Sequence, residues 1–230
     1  LPAGIAGVQP QLAFSYNSTG GDGYMGAGWN ISGASAISRC PKNIAVDGVQ
    51  GNVSFAASDR LCLDGQRLIT NGRENDISVT DSSYWNNNTL LHTEIDSFST
   101  VRRHGSSAQG PLALTVETKS GEIHYYGDVS AVSGNDSMGN ALAISLRNAS
   151  GGVEGGADAF FDTASGSGKA RLWALKAIKD TKGNYIVYKY QKNLDKGEHY
   201  LTEVHYTGRT GGAAPFAKVV LNYSDNTKRA

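Results

Sequence analysis

Histidines, a cysteine pair and a glycine-dense stretch are the places in this 230-residue chain where residue type and spacing could do chemistry. In LAFSYNSTGGDGYMGAGWNISGASAIS, residues 12–38, Gly21, Gly23 and Gly26 match the G-x-G-x-x-G spacing that lets backbone amides cradle a phosphate. That chemistry needs a strand before the glycines and a helix opening after them. The following GWNISGASAIS is poor in helix formers, so the glycines read instead as turn and bulge positions where a side chain would clash. His92, His104, His124, His199 and His205 never reach H-x-x-x-H spacing with an acid between them. His124 and His205 lie in aromatic strand patterns and read as structural imidazoles. No G-x-S-x-G elbow is present. Asp47, Asp59 and Asp64 sit near glycine without meeting the calcium pattern D-x-[DN]-x-[DN]-G, so Asp64-Gly65 reads as a turn. Paired carboxylates for glycoside cleavage are set by distance in space, and nothing in the sequence points to a pair. The expectation is therefore a chain with no catalytic residues, no metal and no cofactor.

Two further groups stay open at this level. Cys40 and Cys62 have no second pair for a zinc ribbon and form no C-x-x-C. They read either as two buried small apolar side chains or as one disulfide. Both flank strand patterns in one hairpin-rich stretch, so they are expected to lie close enough to bridge. In SSYWNNN, residues 82–88, Tyr84 and Trp85 beside asparagines suit a ligand-facing, carbohydrate-binding surface; core packing at a strand end suits them as well.

The elements that position these residues are strands. Twenty-nine glycines with only five prolines signal frequent turns, and 39% hydrophobic residues is too many for a disordered chain. Lys+Arg and Asp+Glu balance at 21 each, which gives no field to draw nucleic acid or anionic lipid. No apolar run approaches the ~18 residues of a membrane span, and none resembles a signal-peptide core. The missing initiating Met and the stop just after AKVVLNY predict a fragment of a longer chain, with an unfinished sheet edge or apolar patch where the chain continues.

Leu12, Phe14 and Tyr16 alternate with small polar residues, as do Trp29 and Ile31, predicting two neighbouring strands joined by the glycine run with Trp29 buried. Further strand patterns are NVSFAA (52–57), RLCLDGQRLI (60–69), DISVT (76–80), TLLHTEI (89–95), LALTVET (112–118), EIHYYG (122–127), ALAISL (141–146), NYIVYKY (184–190), YLTEVHYT (200–207) and AKVVLNY (217–223). RLWALKAIKD (171–180) has helix-forming residues, yet the D-x-x-G-N turn after it makes it the first arm of a hairpin with NYIVYKY. The fold class is all-β: antiparallel hairpins and meanders in a curved sheet, a sandwich or an open barrel-like shell segment. The expected organisation is a β-domain over 1–146, a Gly/Ser-rich loop over 147–170, and a hairpin-rich part over 171–230.

The opening also carries a family pattern, P-x-G-x-x-G-x-x-P-x-L-x-x-x-Y-N-S, then glycines, then G-x-G-W-x-(I/L)-S and I-S-R. It is met by Pro2, Gly4, Gly7, Pro10, Leu12, Tyr16, Asn17, Ser18, Gly26, Gly28, Trp29, Ile31, Ser32, Ile37, Ser38 and Arg39. It resembles the start of the SpvB-type domain of bacterial virulence and insecticidal toxin-complex proteins. The stretches CPKNIAVDGVQGNVSFAASDRLCLDGQRLI, TEIDSFSTV, TKSGEIHYYG and LWALKAIKDTKGNYIVYKY are similar to its form in large Rhs/YD-repeat proteins, so the resemblance covers nearly the whole chain. It implies a secreted or surface-exposed bacterial scaffold rather than an enzyme. Its partners would be the remainder of the parent polypeptide, meaning an Rhs/YD-type shell and a C-terminal toxin segment, or other toxin-complex subunits.

Overall fold

Alternating apolar residues between glycine turns pair antiparallel throughout the computed structural model, which describes residues 1–18, 22–23, 26–70, 84–106, 110–154, 159–162, 170–193 and 198–223. The glycine-rich opening forms β1 (Ala13–Tyr16), β2 (Asp22–Gly23), β3 (Gly26–Ala27) and β4 (Trp29–Ser32). β1 pairs with β4, setting Phe14 opposite Ile31 and Tyr16 opposite Trp29, and β2 pairs with β3 beyond them. Gly28 has φ +77°, and a Cβ there would lie 2.5 Å from the Asn17 carbonyl oxygen, so this turn requires glycine. Trp29 departs from its expected burial. It is 41% exposed, because β1 and β4 form a two-stranded ribbon in which its ring packs along Tyr16, 5.2 Å away between centroids.

The next strands are β5 (Ala36–Cys40), β6 (Arg60–Leu63), β7 (Gln66–Thr70), β8 (Leu90–Thr93), β9 (Thr100–His104), β10 (Ala113–Glu117) and β11 (Ile123–Gly127), with one helical turn, α1 (Ile44–Asp47). After them come β12 (Leu146–Arg147), β13 (Val153–Glu154), β14 (Phe160–Asp162), β15 (Ala170–Lys179), β16 (Asn184–Asn193), β17 (Glu198–Arg209) and β18 (Ala217–Val220). Strands β5 to β11 form a meander, and β15 pairs with both of its ends, β5 and β11, closing a barrel of eight strands. At eight strands the interior is just wide enough for side chains to fill. Ile37, Leu61, Leu68, Leu91, Val101, Leu114, Tyr126 and Trp173 pack together there, each burial stabilising by roughly 2 kcal/mol.

β15 has four partners. Leu172–Ala174 pairs with β5, Ala170, Leu172 and Trp173 pair with β14, and the segment towards Lys179 pairs with β11 and β16. The β11 register skips Lys176, since Tyr125 faces Ala177 and Tyr126 faces Leu175. This bulge reverses the alternation, turning Leu175 into the barrel and Ala177 to its outside. A second sheet, β15–β16–β17–β18, thus springs from the wall of the first. All five residues of β10 are buried: the barrel core lies on one side and Val129, Val132, Leu142 and Leu146 cover the other.

Three strand expectations meet a different outcome. NVSFAA is a turn, because the Asp59 carboxylate accepts from both the Ser54 N–H and its Oγ–H, at 3.0 and 2.8 Å. ALAISL contributes only Leu146 to a strand, and its leucines serve as the cover just described. DISVT lies outside the described residues. β9, absent from the sequence reading, is a full barrel strand whose Arg103 points inward.

Candidate functional site

Of Tyr84 and Trp85, the aromatics singled out for a ligand, the first is buried in the protein and the second is half-buried beside it. Tyr84 is 2% exposed, which overturns its ligand-facing reading. Its Oη accepts from the Leu61 N–H and donates to the Leu68 carbonyl, both at 3.0 Å. The hairpin register Cys62↔Arg67 and Leu63↔Gln66 would next bring Leu61 to Leu68. The phenol bridges that pair and becomes part of the wall. Half-buried Trp85 meets Tyr84 edge-on, donates from Nε1 to the Ala57 carbonyl at 2.6 Å, and lies 4.6 Å beneath the Arg39 guanidinium.

Arg39 is the centre of this cluster. Its Nε donates to the Ala170 carbonyl at 2.7 Å, tying β5 to the start of β15 where the barrel closes. Its Nη1 lies 3.3 Å from the fully buried Asp59 carboxylate. Burial lowers the Arg39 pKa and Asp59 raises it in return. Arg103 sits 5.1 Å from the Tyr84 centroid, and burial holds its pKa at about 10, so it stays charged at neutral pH. Burial likewise pushes the Tyr84 phenol up. Cations over aromatic faces and a carboxylate held by backbone make a joint; the cluster contains no nucleophile–base pair.

Open grooves lie elsewhere among the described residues. One of about 360 Å³ gathers Ser35, Asp64 and His124, the residue types of a hydrolytic triad. Ser35 donates to Asp64 Oδ2 at 2.6 Å, while the Tyr126 hydroxyl lies 2.9 Å from Ser35 Oγ. A serine nucleophile must give its proton to a base held by a third group. Here it gives that hydrogen bond to a carboxylate whose other oxygen binds the Ala36 N–H, which is turn chemistry. His124 has its pKa lowered by burial, with Glu122 opposing. The second groove, about 380 Å³, exposes the outer wall beside Cys40 and Cys62, which are joined in a disulfide with Cα atoms 5.7 Å apart.

The third groove, about 330 Å³, lies between hairpin turns. Asp136 and Asp180 head identical D-x-x-G-N turns. Each Oδ1 accepts two backbone N–H groups, and each Oδ2 accepts from the side chain of Asn140 or Asn184. The turn at Asp180 was legible, and the same spacing at 136–140 gives the signal for the other. Among the described residues, no group of three or more His, Cys, Asp and Glu is placed to hold a metal ion.

The motif residues divide among three joints. The Pro2 carbonyl accepts from Tyr206 at 3.2 Å, Gly4 donates to Gln9 Oε1, and Pro10 is buried, so the N-terminal segment straps across the second sheet. A Cβ on Gly4 would fall 2.0 Å from the Val8 carbonyl oxygen. Tyr16, Asn17, Gly26, Gly28 and Trp29 build the ribbon, and Arg39 closes the barrel.

The fold recurs in solved structures. All of the chain matches 11% of a chain in the crystal structure of TcdB2-TccC3, with TM-score 0.61 and 18% identity. The N-terminal domain of effector protein SpvB from Salmonella typhimurium strain LT2 matches 92% of this chain over 62% of its own, with TM-score 0.59 and 18% identity. A chain of the Photorhabdus luminescens Tc holotoxin pore matches 99% of this chain over 10% of its own, with TM-score 0.56 and 18% identity. The chain thus spans about a tenth of the toxin-complex chains it is similar to. No protein-family model matches the sequence. No curated protein sequence matches it either. At these identities the shared property is the fold.

Proposed function

We propose that this chain is a non-catalytic β-scaffold module of a secreted or surface-exposed bacterial toxin or Rhs-type protein. Its barrel and second sheet help build a shell that encloses or presents a C-terminal toxin segment, with the remaining shell or other toxin-complex subunits as partners. The observation that carries this reading is the likeness of fold over 100% of the chain to about a tenth of a far larger toxin-complex chain. The interior agrees with it, since Arg39, Asp59, Tyr84, Trp85 and Arg103 are committed to internal contacts. The burial of Tyr84 and the Arg39 contact of half-buried Trp85 weigh against the alternative, a carbohydrate-binding or adhesive surface domain using these two residues. No helix among the described residues is long and apolar enough to cross a membrane.

The test has two arms. The purified chain is assayed against NAD, nucleotides and a glycan panel, with no turnover expected. The longer polypeptide is then expressed with and without this module, and protease protection of its C-terminal segment is compared. Protection lost on deletion supports the shell role. Turnover by the isolated chain, or protection unchanged by deletion, overturns it.

A further inference from the structure

The β1–β4 ribbon presents an apolar face, and among the described residues no strand pairs with the outer edge of β1. All four residues of β1 are exposed, with Phe14 at 64% and Tyr16 at 60%. Cross-strand pairing puts Ile31 and Trp29 on the same face. The Asn17 N–H donates to the Gly28 carbonyl at 2.9 Å, so Asn17 directs its backbone groups towards β4. In an antiparallel ladder the direction alternates residue by residue. Ala13 and Ser15 therefore also face β4, while Phe14 and Tyr16 turn their N–H and C=O groups outward. Tyr16 and Trp29 then form a non-hydrogen-bonded pair, the closer kind, which agrees with their 5.2 Å ring contact.

We propose that this edge joins a second copy of the chain, β1 to β1, about a two-fold axis through Ser15. This register makes Phe14 of each copy the partner of Tyr16 in the other, pairing their outward backbone groups in four N–H···O=C bonds. It also keeps Phe14, Tyr16, Trp29 and Ile31 of both copies on one face, which a shift by one residue would not. The resulting order β4–β1–β1–β4 turns a two-stranded ribbon, marginal alone, into a four-stranded sheet with a common apolar face. A two-fold contact between identical edges is self-complementary. Charge does not oppose it: residues 11–21 and 26–38 contain no Asp, Glu, Lys, Arg or His, and the chain has net charge +0.

The area sets the strength. Trp29 and Ile31 lie on β4, one strand away from the new edge, so side-chain burial comes only from the Phe14–Tyr16 pairs between copies, a fraction of the roughly 150–250 Å² that each aromatic side chain offers. That falls short of the ~1,200 Å² total of a stable specific complex, and the dimer is weak and reversible. It stands independently of the shell reading.

Sedimentation equilibrium from about 1 to 500 μM spans the range expected of so small an interface. The mass should rise from 24.3 kDa towards twice that value. Amide exchange at Phe14 and Tyr16 should slow as concentration rises, while that at Ser15, already turned to β4, should not. The double variant Phe14→Lys/Tyr16→Lys puts charge on an edge whose side chains are already exposed, so it should fold like the parent and remain at 24.3 kDa. A mass of 24.3 kDa at every concentration would overturn the proposal. So would association that survives the double variant, which would assign the contact to another edge such as β18, the last strand of the large sheet.

Discussion

Replacing Tyr84 by Phe removes one oxygen atom and keeps the ring, which isolates the phenol's part in the barrel wall. The Leu61 N–H and the Leu68 carbonyl, each 3.0 Å from that oxygen, would both lose a partner in a place where Leu61 and Leu68 are 0% exposed. Leaving a buried polar group unsatisfied costs about 1–3 kcal/mol. The two groups together should cost about 2–4 kcal/mol, unless they can pair with each other. Their register invites that pairing, but the retained ring stands between the strands. In a domain of this size, each kcal/mol shifts Tm by roughly 2–4 °C, so Tyr84→Phe should lower Tm by about 5–15 °C. Tyr125→Phe supplies the control: its hydroxyl donates one bond, to the Leu142 carbonyl at 3.0 Å, and its loss should cost only about 1 kcal/mol. Both are measured by urea unfolding with matched slopes. A loss below about 0.5 kcal/mol for Tyr84→Phe, or a loss no greater than that of Tyr125→Phe, would refute the bridging role.

Gly28→Val should destabilise the ribbon by more than ~1 kcal/mol, since φ is +77° and the Cβ would strike the Asn17 carbonyl; faster exchange of the β1 and β4 amides reads this out. Reducing Cys40–Cys62 opens a loop of sequence separation 22, and the chain-entropy model gives a loss of about 3 kcal/mol, to be measured by denaturation with and without a thiol reductant. His104 is fully buried between Thr115 and the Ser133 amide, and burial with Arg102 nearby lowers its pKa from 6.5 to about 4. The unfolded chain therefore binds the proton more readily. Stability should fall by up to about 3 kcal/mol as pH drops from 6.5 to 4, and His104→Gln should flatten that part of the profile.

Local chemistry was the legible part of this fold. Asp64-Gly65 takes positive φ at both positions, 48° and 85°, as a two-residue hairpin loop demands. The Asp180 turn likewise fixes RLWALKAIKD as a strand despite its helix formers. What pairs with what at long range was not legible, because nothing in AISRC or IHYYG marks both as neighbours of a strand that follows the glycine-rich segment. β9 was hidden because its inward residues are Val101 and Arg103, and an arginine stacked on Tyr84 reads in sequence as a surface charge. Trp29 misled in the opposite sense: a large aromatic in an alternating pattern implies a buried face, but a two-stranded ribbon has no layer to bury it. The site residues follow the same division. Gly28 could be assigned from the turn it must make, whereas Tyr84 acts through two backbone groups on other strands, which no spacing encodes.

The four-way pairing of β15 also fixes when the barrel can exist during synthesis. Strands β5 to β11 are complete once residue 127 has been made, yet the meander keeps two open edges until residues 170–179 follow. At about 5–20 residues per second, those further fifty or so residues take roughly 3–10 seconds. During that interval β5 and β11 expose unpaired backbone on a half-built, strongly apolar cylinder, the condition in which nascent β proteins aggregate. Pairing β5 with β15 then joins residues such as Ile37 and Trp173, a contact of high sequence separation that makes closure slow. Chaperone dependence should therefore peak after residue 127 emerges and end when β15 does, so ribosome-stalled chains with residues up to about 150 outside the exit tunnel should be far more aggregation-prone than those with residues up to about 190 outside it.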